Sequence, residues 1–273
     1  MTDRRLTPAN DRAALATLRG VVDAPRHVAG EPAAVAVPLA DLRAAPGGAR
    51  DRQVVLGEAL TVIDRHEGWA FVRMGKDGYC GYLPDDVLGA AQTPTHWVAA
   101  PASHLYPEPR VQAEARAALP LNARLTVLAE TGDFAETSHG FVPRRHLRDI
   151  GNWHADPVAV AQTLLGTPYL WGGNSRAGVD CSGLVQMAML ACGRDCPADS
   201  DLQQSLGEDV PAKKPLRRGD LVFWTGHVAM AMNADHVIHA TAAFMAVVAE
   251  PLAPALKRIE AARGGPVTAR RRP

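Results

Sequence analysis

The chain has 273 residues, of which 47% are hydrophobic and 21% charged, enough apolar material for more than one core. Lys plus Arg and Asp plus Glu balance at 29 each. That neutrality argues against the basic surface that nucleic acid or an anionic membrane selects, so neither is expected as a partner.

The opening stretch, MTDRRLTPANDRAALATLRG, mixes both charge signs and holds no apolar run of signal-peptide or membrane-spanning length. The expected location is therefore the cytoplasm. The four cysteines, Cys80, Cys181, Cys192 and Cys196, are expected to stay reduced there. Cys192 and Cys196 lack a second Cys/His pair at ligand spacing, so no metal and no cofactor are expected.

Residues 1–34 form a leading segment. From Val35 onward, Pro and Gly punctuate short strands. ALTVIDRHEGWAFVRM (Ala59–Met74) predicts two strands joined at Glu67-Gly68, and DGYCGYLPDDVL (Asp77–Leu88) a third that ends in a tight turn. The pattern recurs in ARLTVLAETGDFAETSHGFVPRRHL (Ala123–Leu147), with the same LTV strand, Gly-to-aromatic steps and Pro before Leu. This is a duplicated β unit of roughly fifty residues, the size of a small barrel, with copies at 35–92 and 93–150.

After Asn152 the texture changes. DPVAVAQTLLG predicts a helix with Asp156 as N-cap, Pro157 in its first turn and Gly166 as its stop, with Leu164 and Leu165 facing a core. A glycine-rich loop leads to a second helix, from Cys181 to about Ala191, with an apolar stripe of Leu184, Val185 and Ala188. RRGDLVFW, HVAMAMN, HVIHAT and MAVVAEP then predict successive antiparallel strands, making residues 151–273 an α+β domain. The terminal Arg270, Arg271 and Arg272 are expected to be a solvated tail.

Cys181 falls at a helix start, where unpaired N–H groups and the helix dipole favour a thiolate. Ser182 and the backbone N–H groups there are available to an oxyanion. A nucleophilic thiol needs a base, and the base an orienting partner. His227 and His239 reach the same end of a hairpin if the chain turns at Asn233–Asp235; His236 lies near the turn and points away.

PYLWGGNSRAGVDCSGLVQ, RRGDLVFWTGHVAM and HVIHAT resemble the motifs of the NlpC/P60 cysteine peptidases, whose core is papain-like. The duplicated β units resemble bacterial SH3 (SH3b) domains, and the combination is similar to the dipeptidyl-peptidase VI type. The resemblance implies Cys181 as nucleophile, His227 as general base and His239 as the orienting residue. It also implies that Tyr169 sits near the oxyanion, that Trp171 lines the cleft, and that Asp180 and Ser200 hold the amine and carboxylate-bearing parts of the substrate. A tyrosine of the first SH3b unit is implied to reach the pocket, either Tyr79 or Tyr82, with Tyr79 favoured. Asp51 is the sole candidate for an acidic amine contact from that unit.

The implied reaction cleaves the γ-D-glutamyl–diamino acid bond of murein peptides with a free N-terminal L-Ala, the diamino acid being meso-diaminopimelate or lysine, in cell-wall peptide recycling. An amidase or acyltransferase on the same core, or a module that only binds peptidoglycan peptides, is the alternative. Retention of all three of Cys181, His227 and His239 speaks against pure binding.

Overall fold

A computed structural model describes residues 3–273 and divides the chain into two compact units, residues 1–150 and 151–273. Most strands of the first unit belong to antiparallel arrays. The largest is a seven-stranded sheet in the order Arg50–Val55, Leu39–Arg43, Cys80–Pro84, Trp69–Met74, Ala59–His66, Glu31–Val35, Leu88–Ala90. Its hairpin turns at Glu67-Gly68, where φ is 49° and 78°. Two positive φ values in a two-residue loop match the right-handed twist of the flanking strands. A register shift between Val62 and Asp64 accompanies an inward carboxylate, which Arg12 meets at 2.9 Å and Arg26 also pairs. Those two arginines tie the leading segment to the sheet.

The meander Ala59–His66, Trp69–Met74, Cys80–Pro84 is followed by a 3-10 turn at Asp85–Val87 and a short strand, Leu88–Ala90. The same succession recurs as Val127–Thr131, Phe134–Thr137, Gly140–Pro143, a 3-10 turn at Arg144–His146, and Leu147–Asp149. Leu56 joins the core of the second stretch, among Val98, Leu119, Leu125 and Val142. The neighbouring Gly57 has φ +76°, and a Cβ there would lie 2.2 Å from the Arg124 carbonyl oxygen.

In the second unit the helix Pro157–Gln162 starts where its cap predicts, with the Asp156 carboxylate accepting the Val158 amide at 2.9 Å. Leu164 is buried, but Leu165 is 41% exposed, contrary to expectation, because the helix ends at Gln162 and the chain turns outward toward Gly166. The helix Cys181–Leu190 has no single apolar stripe; Cys181 through Met189 are all buried. It packs against the first helix, the short helix Ser200–Gln203 and two sheet strands, so every face is covered.

The sheet runs Glu208–Asp209, Ala269–Arg272, Leu221–Trp224, His227–Ala231, His236–Thr241, Ala246–Pro251. The arginine tail is therefore a strand inside the sheet, not a solvated end. The Asp220 side chain is 1% exposed, and Arg272 meets both its oxygens, at 2.7 and 2.6 Å. A carboxylate so buried needs a cation, and backbone pairing with Leu221–Phe223 brings that cation in. No helix among the described residues is long and apolar enough to cross a membrane.

Gly57→Ala is expected to cost on the order of 2–4 kcal/mol, since strain and a backbone clash add. Gly47→Ala, also at positive φ but with open space around it, is expected to cost about 1 kcal/mol. Urea midpoints of the two full-length variants would show the difference, and equal midpoints would refute the packing assigned to Gly57.

Candidate active site

Asp180 is the residue on which the site is assembled. It caps the Cys181–Leu190 helix: Oδ1 accepts the Gly183 amide at 2.6 Å and the Ser182 hydroxyl at 3.1 Å. Its Oδ2 accepts the Gly172 amide at 2.8 Å, so one carboxylate joins the helix start to the glycine loop. Asp180 and Ser182, both expected to meet substrate, thus also hold each other in place.

The Cys181 thiol is 6% exposed and faces the backbone N–H groups of Val228, Ser182 and Cys181 itself. Val228 follows His227, so the helix start and the histidine strand meet at the sulfur. Burial pushes the thiol up to about 12; the Asp180 charge adds to the rise and the three N–H groups oppose it. Burial thus works against the thiolate that the helix start favours. A helix N-terminus contributes about 0.3–1 kcal/mol, up to ~2 in partly buried geometries, whereas desolvating an anion costs several. Burial also pushes the His227 imidazole down to about 3, with His239 and Arg258 adding. Burial thus favours the neutral form of both side chains.

His227 opens its strand after a tight turn in which Gly226 has φ 71°, and the buried Trp224 ring packs 5.7 Å from the imidazole. The hairpin turns where expected, placing His236 in solvent at the turn and His227 and His239 together at the other end. His227 Nε2 lies 2.8 Å from His239 Nδ1. His239 is 1% exposed, and burial, then Arg258, pushes its imidazole down to about 4. Its Nε2 lies 2.7 Å from Glu250 Oε1, and Arg258 pairs with the same oxygen.

Burial pushes the Tyr169 hydroxyl up, and the Cys181 and Asp180 charges add to the rise. Trp171, on the loop, is exposed, and Ser200 is buried at the start of its short helix. Tyr79 and Tyr82 belong to the other unit: Tyr79 is buried with the Arg52 guanidinium 5.4 Å from its ring centre, and Tyr82 packs on Phe71 at 5.0 Å. Asp51 carries the Arg4 guanidinium on both oxygens, at 2.8 and 2.9 Å.

Three residues of the site escaped the motif reading. Gln203 is fully buried and donates to the carbonyls of Ser182 at 3.0 Å, Pro197 at 3.0 Å and Ala198 at 3.2 Å, fastening the first turn of the Cys181–Leu190 helix. Glu250 and Arg258 complete the histidine chain. His239 pairs with Val248 across the sheet, so Glu250, two residues on, shares its face. Knowledge of that register would have revealed it.

Because burial raises the Cys181 thiol, its alkylation by iodoacetamide is expected to accelerate about tenfold per pH unit between roughly pH 6 and 9. Mass spectrometry of the Cys181 peptide reads this directly. A rate already maximal at about pH 6 would mean a resident thiolate.

Residues 166–255 match the NlpC/P60 family, and residues 42–88 match the bacterial dipeptidyl-peptidase Sh3 domain. The chain is 29% identical over 236 residues to a gamma-D-glutamyl-L-lysine dipeptidyl-peptidase of Bacillus cereus, covering 74% of this chain and 70% of that one. It is 26% identical over 214 residues to dipeptidyl-peptidase 6 of Lysinibacillus sphaericus, covering 69% and 79%. A crystal structure of an NlpC/P60 family protein from Bacillus cereus shares the fold, with a TM-score of 0.73, 23% identity, and 89% and 99% of the two chains covered. The chain therefore carries an NlpC/P60 cysteine peptidase domain together with a bacterial SH3 domain.

Proposed function

We propose that the protein cleaves the γ-D-glutamyl–diamino acid bond of short murein peptides with a free N-terminal L-Ala, releasing L-Ala-D-Glu. The observation that carries this reading is the cysteine–histidine–histidine arrangement inside a chain whose relatives over about 70% of its length are named dipeptidyl-peptidases. We read residues 151–273 as a papain-like domain and 35–92 and 93–150 as two small SH3-like barrels, which the repeated meander supports.

In this mechanism the Cys181 sulfur attacks the γ-carbonyl carbon while His227 takes the thiol proton. The backbone N–H groups at the helix start, that of Ser182 among them, and the Tyr169 hydroxyl face the developing oxyanion. The C–N bond then breaks, and the imidazolium passes its proton to the leaving amine. Water, deprotonated by the same imidazole, hydrolyses the γ-glutamyl thioester and restores the thiol. Asp180 supplies negative charge for the α-ammonium of L-Ala, with Ser200 beside the carboxylate-bearing part. Such a substrate is a released wall fragment, so the protein works in recycling, in the cytoplasm, on lysine- or meso-diaminopimelate-containing peptides.

Cys181→Ala and His227→Ala are expected to abolish turnover of L-Ala-γ-D-Glu-L-Lys and its meso-diaminopimelate counterpart, with His236→Ala unaffected. N-acetylation of the L-Ala should lower kcat/KM on the order of a hundredfold, the value of a lost buried charged contact of about 3 kcal/mol. The comparison is made on the substrate because Asn at position 180 would turn an amide donor toward the Gly172 N–H and disturb the loop. Equal rates on free and acetylated peptide would overturn the free-amine reading. Turnover by Cys181→Ala would overturn the mechanism.

A further inference from the structure

We propose that Glu250, held by Arg258, is a positioning residue that sets the tautomers of both histidines, so that His227 keeps the one nitrogen not engaged by His239 free of a proton and able to accept that of Cys181. The proposal rests on the reading of Cys181 and His227 as nucleophile and base.

The inference follows from counting hydrogens along the chain. A neutral imidazole has one N–H and one lone pair, while a carboxylate only accepts. His239 Nε2 lies 2.7 Å from Glu250 Oε1, so Nε2 carries the proton and donates it. Neutral His239 then has a bare Nδ1. That atom lies 2.8 Å from His227 Nε2, so Nε2 of His227 must be the donor. Neutral His227 is left with its lone pair on Nδ1. The polarity is fixed at the far end, at a residue two side chains removed from the reaction.

His239 is buried and His227 half-buried, desolvation favours the neutral form of both rings, and so the direction of the chain matters. With no acceptor at position 250, the reversed chain has the same number of internal hydrogen bonds: His239 Nδ1–H donates to His227 Nε2, and His227 carries its proton on Nδ1, where it cannot take another. Arg258 makes the choice robust. It lies on the helix Leu252–Ile259, its guanidinium sits 5.0 Å from the Phe244 ring centre, and it pairs with the same Glu250 oxygen that His239 meets. The carboxylate is thereby aimed at His239 Nε2, and the cation beside it discourages a second proton on either ring.

The test is ring nitrogen NMR on full-length protein labelled with 15N-histidine, near neutral pH, where two-bond couplings report which nitrogen bears hydrogen. In the native protein both His227 and His239 are expected as the Nε2–H tautomer. Glu250→Ala is expected to give mixed tautomers at both rings and a loss in kcat of about ten- to a hundredfold, with KM little changed. Glu250→Gln, which offers a carbonyl oxygen to Arg258 and His239, should retain the native tautomers and more of the rate. A native His227 protonated on Nδ1 would overturn the proposal without any variant, as would native tautomers in a folded Glu250→Ala protein. The tautomers are read equally well in Cys181→Ala, so a failed nucleophile assignment, seen as turnover by that variant, is distinguishable from a failed role for Glu250.

Discussion

One carboxylate holds the catalytic end of the second unit together. Asp180 accepts from Gly172 on the loop, from Gly183 in the first turn of the helix, and from Ser182 beside the nucleophile. Without that junction the cysteine would sit on a frayed helix end attached to a glycine-rich loop, both of which have many conformations to lose. With it, the sulfur is pinned where the Val228 amide meets it. Gly183 shows how closely the parts fit: a Cβ there would lie 2.5 Å from the Gly173 carbonyl oxygen. Gln203 secures the same turn from its other side by donating to the Ser182 carbonyl.

Burial sets the electrostatic character of the site. Burial pushes the thiol up to about 12 and the His227 imidazole down to about 3, so desolvation favours the neutral form of each. A thiolate–imidazolium pair in so dry a place would incur two desolvation penalties, which a helix start alone does not offset. In the proposed mechanism, proton transfer is then part of the attack, not a preliminary to it. A base that must accept a proton at that moment has to present the correct nitrogen beforehand, and for this reason the hydrogen-bond chain through His239 to Glu250 bears on the chemistry.

The two helix ends of this unit share a design with different outcomes. Asp156 caps a short helix and is also met by Arg218, an exposed pair that adds little to stability. Asp180 caps the Cys181–Leu190 helix, and its charge raises the Cys181 thiol and the Tyr169 phenol. Asp220 goes furthest: nearly fully buried, it draws the terminal strand into the sheet through Arg272. Carboxylates at comparable sequence positions thus cap, poise or anchor according to what covers them.

What the sequence by itself determined is local. Asp156 and Asp180 before helices, Glu67-Gly68 between strands, and the repeated LTV meander are visible because caps, tight turns and strand alternation are encoded within a few residues. Cys181, His227 and His239 were legible for the same reason, each within its own short motif, and the Asn233–Asp235 turn was enough to bring the two histidines together. Tertiary structure alone decided the rest. Glu250 and Arg258 enter through strand register and helix docking, Gln203 through the carbonyls of Ser182 and of the Pro197-Ala198 step, and the arginine tail through pairing with a strand some fifty residues away. The direction in which burial moves the Cys181 thiol belongs there too, because helix position is a local property and burial is not: its cost comes from every neighbour that excludes water.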